Sequence, residues 1–432
     1  MKKSEISYRK SIKYLYGLQK YGVKFGLSKT SNLMDKLGNP HHGRIYVHIA
    51  GTNGKGSVAS MLESILVRSG MKVGFYSSPH LVRFTERFRI NQREISKRKA
   101  TELINELRDI IDPDHHPTYF EATTAMALAY FARENTDISI MEVGMGGRLD
   151  ATNIIRPIVS AITNISLEHQ FFLGSRLIDI AGEKAGIIKK GVDTITAATQ
   201  PSVIRLFKSI CAEKTAPFWR VGKNVRYRFT GSGFNYYGFN HVLRNIEIGL
   251  KGKFQRRNAA LAIAITELLE KKGFRIHYRD IIEGLRDNTW PGRLHLISSH
   301  PLIVLDGAHN PGALRELAES LKIDFSYKRL ILVIGVMEDK DVENIIGRIV
   351  PMADYVICTS PVYSRSADPA DLIRYVSSLR KPGEVVSLVS AAIEKAKEMA
   401  GPEDLILVTG SLFTIGEALT HFDPEKYRPD GV

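Results

Sequence analysis

Cysteine is nearly missing from this chain of 432 residues: Cys211 and Cys358 are all it has. Two such distant thiols make neither a disulfide framework nor a cysteine-spaced metal cluster, and a reducing, cytoplasmic setting fits them best. Long apolar runs are missing as well. No stretch approaches the roughly 20 residues needed to cross a bilayer, and the basic start MKKSEISYRK leads into no unbroken apolar segment of a secretion signal. No membrane partner is therefore expected. Zinc-finger spacings and aromatic RNA-binding signatures are absent, and the basic residues are spread rather than gathered into a tail. The net charge of +14, from 60 Lys and Arg against 46 Asp and Glu, attracts any anionic ligand, and charge alone does not choose among them. No nucleic-acid partner is expected.

What is present is ordinary for a soluble globular protein: 44% hydrophobic and 25% charged residues. The length exceeds what one core normally supports, so two domains are expected. The most informative stretch is Ile45 to Ser57, I-Y-V-H-I-A-G-T-N-G-K-G-S, an apolar strand running into glycines, a lysine and a hydroxyl. Amides in such a turn point inward at phosphate, and a helix opening at Ser57 adds its partial positive end. The pattern is a variant of the usual phosphate loop, because Gly56 separates Lys55 from Ser57 and Ile49 stands where the first glycine is customary. Lys55 is placed to neutralise outer phosphates.

Val58, Met61, Leu62, Ile65 and Leu66 keep helical spacing up to Gly70, and Lys72 to Tyr76 returns to strand, a unit that favours a parallel sheet. Ile138 to Val143 and Ile158 to Ile165 are further strands, and Ala100 to Ile111 and Thr123 to Arg133 are helices. Trp219 to Leu250, broken at Gly231-Ser232-Gly233, reads as a small antiparallel excursion. Helices follow over Asn258 to Lys271 and Tyr278 to Leu285, before Trp290-Pro291-Gly292-Arg293 interrupts the pattern. A boundary near Ser298 to Pro301 divides the chain into 1–297 and 298–432. Beyond it, strands at Leu302–Asp306, Leu330–Gly335, Tyr355–Thr359, Val385–Val389 and Leu405–Thr409 alternate with helices. The expected fold is α/β: an N-terminal phosphate-loop ATPase domain on a mainly parallel sheet, and a C-terminal Rossmann-like domain.

Ligands of open α/β sheets bind at the carboxyl ends of strands. Ser77 and Ser78 end one strand, Glu142 ends another before Gly144-Met145-Gly146-Gly147, and His169 follows a third. Together they make a magnesium-nucleotide constellation. Taken singly, Glu142 also reads as a solvated strand end and His169 as a loop histidine. Lys184 alone reads as an exposed helical lysine. Asp306, at a strand end before Gly307-Ala308-His309-Asn310-Pro311, is placed for a ribose hydroxyl, or starts a plain Asn-Pro turn.

These segments resemble, in order, the folylpolyglutamate synthase and dihydrofolate synthase family, a branch of the Mur ligases. The resemblance is carried by GTNGKGS (Gly51 to Ser57), SSPHL (Ser77 to Leu81), FTERFRIN (Phe84 to Asn91), YFEATT (Tyr119 to Thr124), reading from Tyr119, and EVGMGGRLDATN (Glu142 to Asn153). It continues through EHQFFLG (Glu168 to Gly174), EKAGIIK (Glu183 to Lys189), NAALA (Asn258 to Ala262), WPGRL (Trp290 to Leu294), DGAHNP (Asp306 to Pro311) and VTGSL (Val408 to Leu412). The resemblance implies ATP phosphates held by Asn53, Gly54, Lys55, Gly56 and Ser57, with Asn258, Arg293, Asp306 and His309 also at the nucleotide. It implies a pair of magnesium ions at Ser78, Glu142 and His169, and a CO2-derived carbamate on Lys184. A pterin-bearing substrate would meet Thr118, Tyr119, Phe120, Leu149, Asp150 and Ala151. The implied reaction joins L-glutamate to dihydropteroate or a reduced folate through an acyl phosphate, in a monomer; a P-loop kinase or a Mur-type ligase of another acid are the rival readings. Glu168 departs from the family, which commonly has Asp before this His.

Overall fold

The computed structural model describes residues 3–22, 26–112, 114–231 and 233–431. Ser232 of the expected turn and the first two residues of the basic start lie outside the described residues. Tyr46–Ala50 is the hub of an eight-stranded sheet and is buried along its whole length. The sheet order is Arg93–Glu94, Phe88–Ile90, Val73–Tyr76, Ile138–Glu142, Tyr46–Ala50, Val159–Ile162, Asp193–Thr196 and Phe218–Arg220. Phe88–Ile90 pairs antiparallel with both of its neighbours; all the other neighbours are parallel. In this register Ile49 stands beside Glu142, so the carboxyl ends that carry Ala50, Tyr76 and Glu142 share one edge.

Helices cover both faces, as a parallel sheet requires. On one face Lys55–Arg68 packs with Lys253–Glu270 and Tyr278–Arg286, burying the Val58, Met61, Leu62, Ile65 and Leu66 stripe. On the other, Tyr119–Arg133 packs with Lys97–Ile110 and the N-terminal helix. Tyr119–Arg133 starts earlier than its apolar spacing suggests because Thr118 and Glu121 form a capping box: Glu121 N donates to Thr118 Oγ1 (3.2 Å) and Thr118 N to a Glu121 carboxylate oxygen (2.6 Å).

The antiparallel excursion is a three-stranded sheet of Arg226–Thr230, Gly233–Tyr237 and Val242–Ile246. Trp219 and Arg220, expected to open it, instead belong to the strand Phe218–Arg220, which pairs parallel with Asp193–Thr196 at the edge of the large sheet. The second sheet has six strands rather than about five: His295–Ser299, Leu302–Asp306, Leu405–Thr409, Leu330–Ile334, Tyr355–Ser360 and Gly383–Leu388. The additional strand, His295–Ser299, runs antiparallel to Leu302–Asp306, and the expected boundary at Ser298 falls inside this hairpin. Its mixed, half-exposed residues carry no apolar run to announce it. The chain end returns to the first domain, where Phe84 N donates to Asp430 Oδ2 (2.8 Å) and Arg83 Nη1 to the Lys426 carbonyl (2.7 Å). No helix among the described residues is long and apolar enough to cross a membrane.

Candidate active site

The loop after Tyr46–Ala50 meets the helix Lys55–Arg68, which begins at Lys55 and not at Ser57. Gly54 makes the earlier start: at φ +85° it turns the chain and stands at the N-cap. A Cβ there would lie 2.8 Å from Asn258 Oδ1, so Asn258 presses directly on the loop. At Gly56 a Cβ would lie 3.0 Å from the Trp290 indole nitrogen, which gives this glycine a packing duty besides any ligand. Lys55 Nζ donates to the carbonyls of Gly51 (2.9 Å) and Thr52 (3.0 Å), arching over its own loop. Asn53 N donates to Asn164 Oδ1 (2.8 Å), and the Asn53 and Asn310 amides exchange two hydrogen bonds across the domains, at 2.8 and 3.2 Å.

Between the domains lies a polar cavity of about 140 Å³. It is bordered by Asn53, Gly54, Lys55, Gly56, Ser57, Asn258, Arg293, Asp306 and His309, together with Ser78, Glu142 and His169. The carboxylate of Asp306 already accepts from Leu294 N (2.8 Å) and Ala308 N (2.9 Å), tying the interdomain linker to the DGAHNP turn. Glu142 is buried, and burial raises its carboxyl to about 7 against the opposing charges of Lys55 and Arg293. Burial, with Lys340, Lys55 and Lys184 nearby, draws His169 down to about 4 despite the favourable charge of Glu168. Burial also works to raise Glu168, but the His309 hydrogen bond and the charges of Lys55, His309 and His169 hold it below the usual carboxylate range. Its oxygen lies 3.3 Å from His309 Nε2, 3.8 Å from His169 Nε2 and 3.4 Å from Asn310 Nδ2. The longer acid thus spans from one domain to the other.

Lys184 is not an exposed lysine. It is 2% exposed, and its Nζ donates to the Gly51 carbonyl at 2.9 Å, beneath the phosphate loop. The helix Leu177–Ala185 is short and turns this residue inward against the loop. Burial and the charge of Lys55 bring its amine down to about 7.

A second cavity, about 280 Å³, is bordered by Thr118, Tyr119, Phe120, Leu149, Asp150 and Ala151. Ser78, Pro79 and Gly144 border both cavities, so the two are neighbours across that rim. Asp150 accepts from Met145 N (2.9 Å) and from Thr152 Oγ1 (2.5 Å). The Thr152 hydroxyl has one proton, which goes to Asp150, so His48 Nε2 at 2.8 Å must be its donor. His48 Nδ1 is then an acceptor, and it is buried without a partner among the described residues. Burial and the Lys189 charge hold this imidazole neutral, down to about 3.

Sequence reading missed Asn164 and Asn310, whose side chains bind the phosphate loop, and Arg87, which borders the second cavity. Asn164 follows the third strand of the rim, and Asn310 stands inside a quoted motif. Strand-end position and motif membership were the available signals.

Residues 49–266 match the Mur ligase middle domain and residues 292–412 the Mur ligase glutamate ligase domain. The chain is 35% identical to the dihydrofolate synthase/folylpolyglutamate synthase of Bacillus subtilis, covering 95% of this chain and 98% of that protein. It is also 35% identical to a probable bifunctional folylpolyglutamate synthase/dihydropteroate synthase of Haloferax volcanii, over 96% of this chain and 50% of that longer protein, so it spans about half of that relative. The structure of Escherichia coli FolC in complex with DHPP and ADP superposes with a TM-score of 0.88 at 32% identity, covering 96% of this chain and 98% of that one. Sequence and fold agree along almost the full length, and the chain belongs to the dihydrofolate synthase/folylpolyglutamate synthase family of Mur ligases.

Proposed function

We propose that the protein is an ATP-dependent acid–amino-acid ligase that adds L-glutamate to dihydropteroate, to reduced folates, or to both. The observation that carries this reading is the shared rim of Ser78, Pro79 and Gly144, which sets a phosphate-loop cavity beside a cavity lined in part by Tyr119 and Phe120. An acid bound in the second cavity has its carboxylate beside the terminal phosphate of ATP bound in the first. A carboxylate is a poor electrophile, because its charge repels an incoming amine and its oxygen leaves badly. Phosphorylation supplies a leaving group, and the glutamate amine then attacks the acyl phosphate to give amide, ADP and phosphate. Lys55 and the loop amides stabilise charge as the phosphoryl group moves, and the interdomain position keeps water from the acyl phosphate.

Ser78, Glu142 and His169 are the residues that would hold divalent cations. Among the described residues no group of three or more His, Cys, Asp or Glu is spaced as a metal site. This donor set suits magnesium, which keeps water and phosphate oxygens as most of its ligands, and a pair of ions would neutralise phosphate charge when bound. The buried amine of Lys184, near 7, is in its neutral form often enough to add CO2, and as a carbamate it becomes an anion facing Lys55. Glutamate is assigned to the wider cleft beside Glu168 and His309, where Arg315, Lys340 and Arg348 offer cations among the carboxylates of Glu168, Asp339 and Asp341. The enzyme is proposed to act as a cytoplasmic monomer.

The test is ADP release with glutamate present, comparing dihydropteroate with tetrahydrofolate. Turnover that needs both glutamate and a folate acid is expected, and a response to each acid marks a bifunctional enzyme. A stable phosphorylated product formed without glutamate would mark a kinase and end this reading.

A further inference from the structure

Arg87 is a buried cation that the phosphate-loop chemistry does not use. It is 6% exposed, at the end of the short helical turn Phe84–Arg87, and it borders the aromatic cavity. Its Nε donates to His80 Nδ1 at 2.8 Å. His80 is an acceptor there because burial and the Arg87 charge keep its imidazole neutral. The guanidinium carbon lies 5.2 Å from the centre of the Tyr119 ring, and the Tyr76 side chain is a hydrogen-bond partner. Both phenols are raised by burial and stay uncharged. Among the described residues no carboxylate forms an ion pair with Arg87. A buried charge left without a counter-charge is costly, and proteins normally pair it. Arg87 joins this lack of an ion pair to the edge of a cavity that shares its rim with the phosphate-loop cavity.

Its backbone fixes where the charge points along the site. The Arg87 carbonyl accepts from Ser77 N at 3.1 Å, which ties it to the residue before Ser78 on the shared rim. Its charge reaches Glu142, at the end of the neighbouring strand. With Nε engaged by His80 and Tyr76 as a second hydrogen-bond partner, the guanidinium N–H groups that remain are the donors a carboxylate in the cavity would meet.

We propose that Arg87 is a substrate-binding residue that receives the carboxylate of the acid about to be phosphorylated, an inference that rests on the ligase reading above. The missing counter-charge is then the substrate itself, and the same contact turns the acid toward the rim where phosphoryl transfer takes place. Specificity follows: an uncharged analogue leaves the guanidinium buried and unpaired.

The experiment is calorimetric titration of the full-length protein with dihydropteroate and with its carboxamide, which differ only in the charge at the reacting end. Wild type, Arg87→Met and Arg87→Lys are compared, with thermal unfolding as the check on folding. Wild type is expected to prefer the acid by about thirtyfold, the measure of a charge-assisted pair. Arg87→Met is expected to lower that preference by about tenfold and leave ATP affinity unchanged, while Arg87→Lys retains most of it. An acid preference that survives in Arg87→Met overturns the assignment, and so does an equal loss for acid, carboxamide and ATP. Failure of wild type to bind either compound overturns the substrate reading itself, a result separate from any behaviour of the variants.

Discussion

Lys184 is enclosed beneath the phosphate loop with its amine near 7, and a lysine there titrates where most lysines do not. The neutral form is the one that adds CO2, so carbamate formation fades as pH falls below about 7 and the amine is held as a cation. Activity is expected to show an acid limb in that range that shifts to lower pH with added bicarbonate, and Lys184→Ala is expected to lose both activity and the bicarbonate response. A limb indifferent to bicarbonate would sink the carbamate. On the proposed reading, Lys55→Ala removes the cation meant for the phosphates and is expected to lower turnover by at least about a hundredfold, with circular dichroism unchanged. His48 supplies a stability test. Its folded-state value, about 3, lies below the ordinary 6.5, so the unfolded chain takes up its proton first. The stability due to neutral burial is complete above 6.5 and is lost as pH falls toward 3. Denaturant titrations should show His48→Gln losing less stability than wild type between these limits, by about 1 kcal/mol per pH unit. Equal slopes would refute it. Lys55 and Glu142 were legible because strand, turn and helix are local patterns. Lys184 was legible only through the family resemblance, since its burial depends on a loop far away in sequence, and Arg87 was hidden because its surroundings are a property of the packed molecule.

At the scale of elements, the helix Lys253–Glu270 packs between the large sheet and the small antiparallel one and holds the 238–241 loop through the carboxylates of Glu267 and Glu270. Glu267 is fully buried and accepts from Tyr236 Oη (2.6 Å), Phe239 N (3.0 Å), Asn240 N (2.7 Å) and His241 N (2.8 Å). Removing it strands these donors, and Glu267→Ala is expected to cost roughly 3–5 kcal/mol in urea unfolding. The site is remote from both cavities, so turnover per folded molecule should stay as in wild type; a loss under about 1 kcal/mol would show that the loop 238–241 finds water instead. Apolar alternation made the small sheet visible in outline, yet Phe218–Arg220 crossed to the large sheet. Three short residues carry too little pattern to reveal which edge they join, and pairing with Asp193–Thr196 decides it. The additional strand His295–Ser299 was obscured by its histidine and serines, for its hydrogen bonds to Leu302–Asp306 do not depend on an apolar face.

For the molecule as a whole, the nucleotide cavity exists only where two domains meet, so the contacts that hold them together set how well ATP is enclosed. The Asn53–Asn310 amide pair is the most direct of these, because one partner belongs to the phosphate loop and the other to the DGAHNP turn. Asn310 has a second duty: its Oδ1 accepts from Ala313 N at 2.8 Å and caps the helix Pro311–Asp324. The two duties separate by substitution. Asp caps a helix about as well as Asn, but it cannot donate to Asn53, and it brings a like charge toward Glu168. If the clamp governs enclosure, Asn310→Asp and Asn310→Ala should both raise the KM for ATP by about tenfold, the worth of one or two buried hydrogen bonds, while thermal stability falls only in Asn310→Ala. If the cap alone matters, Asn310→Asp should bind ATP as wild type does. A normal KM in both variants would mean that the chain end, anchored to the first domain through Asp430 and Lys426, suffices to keep the domains closed.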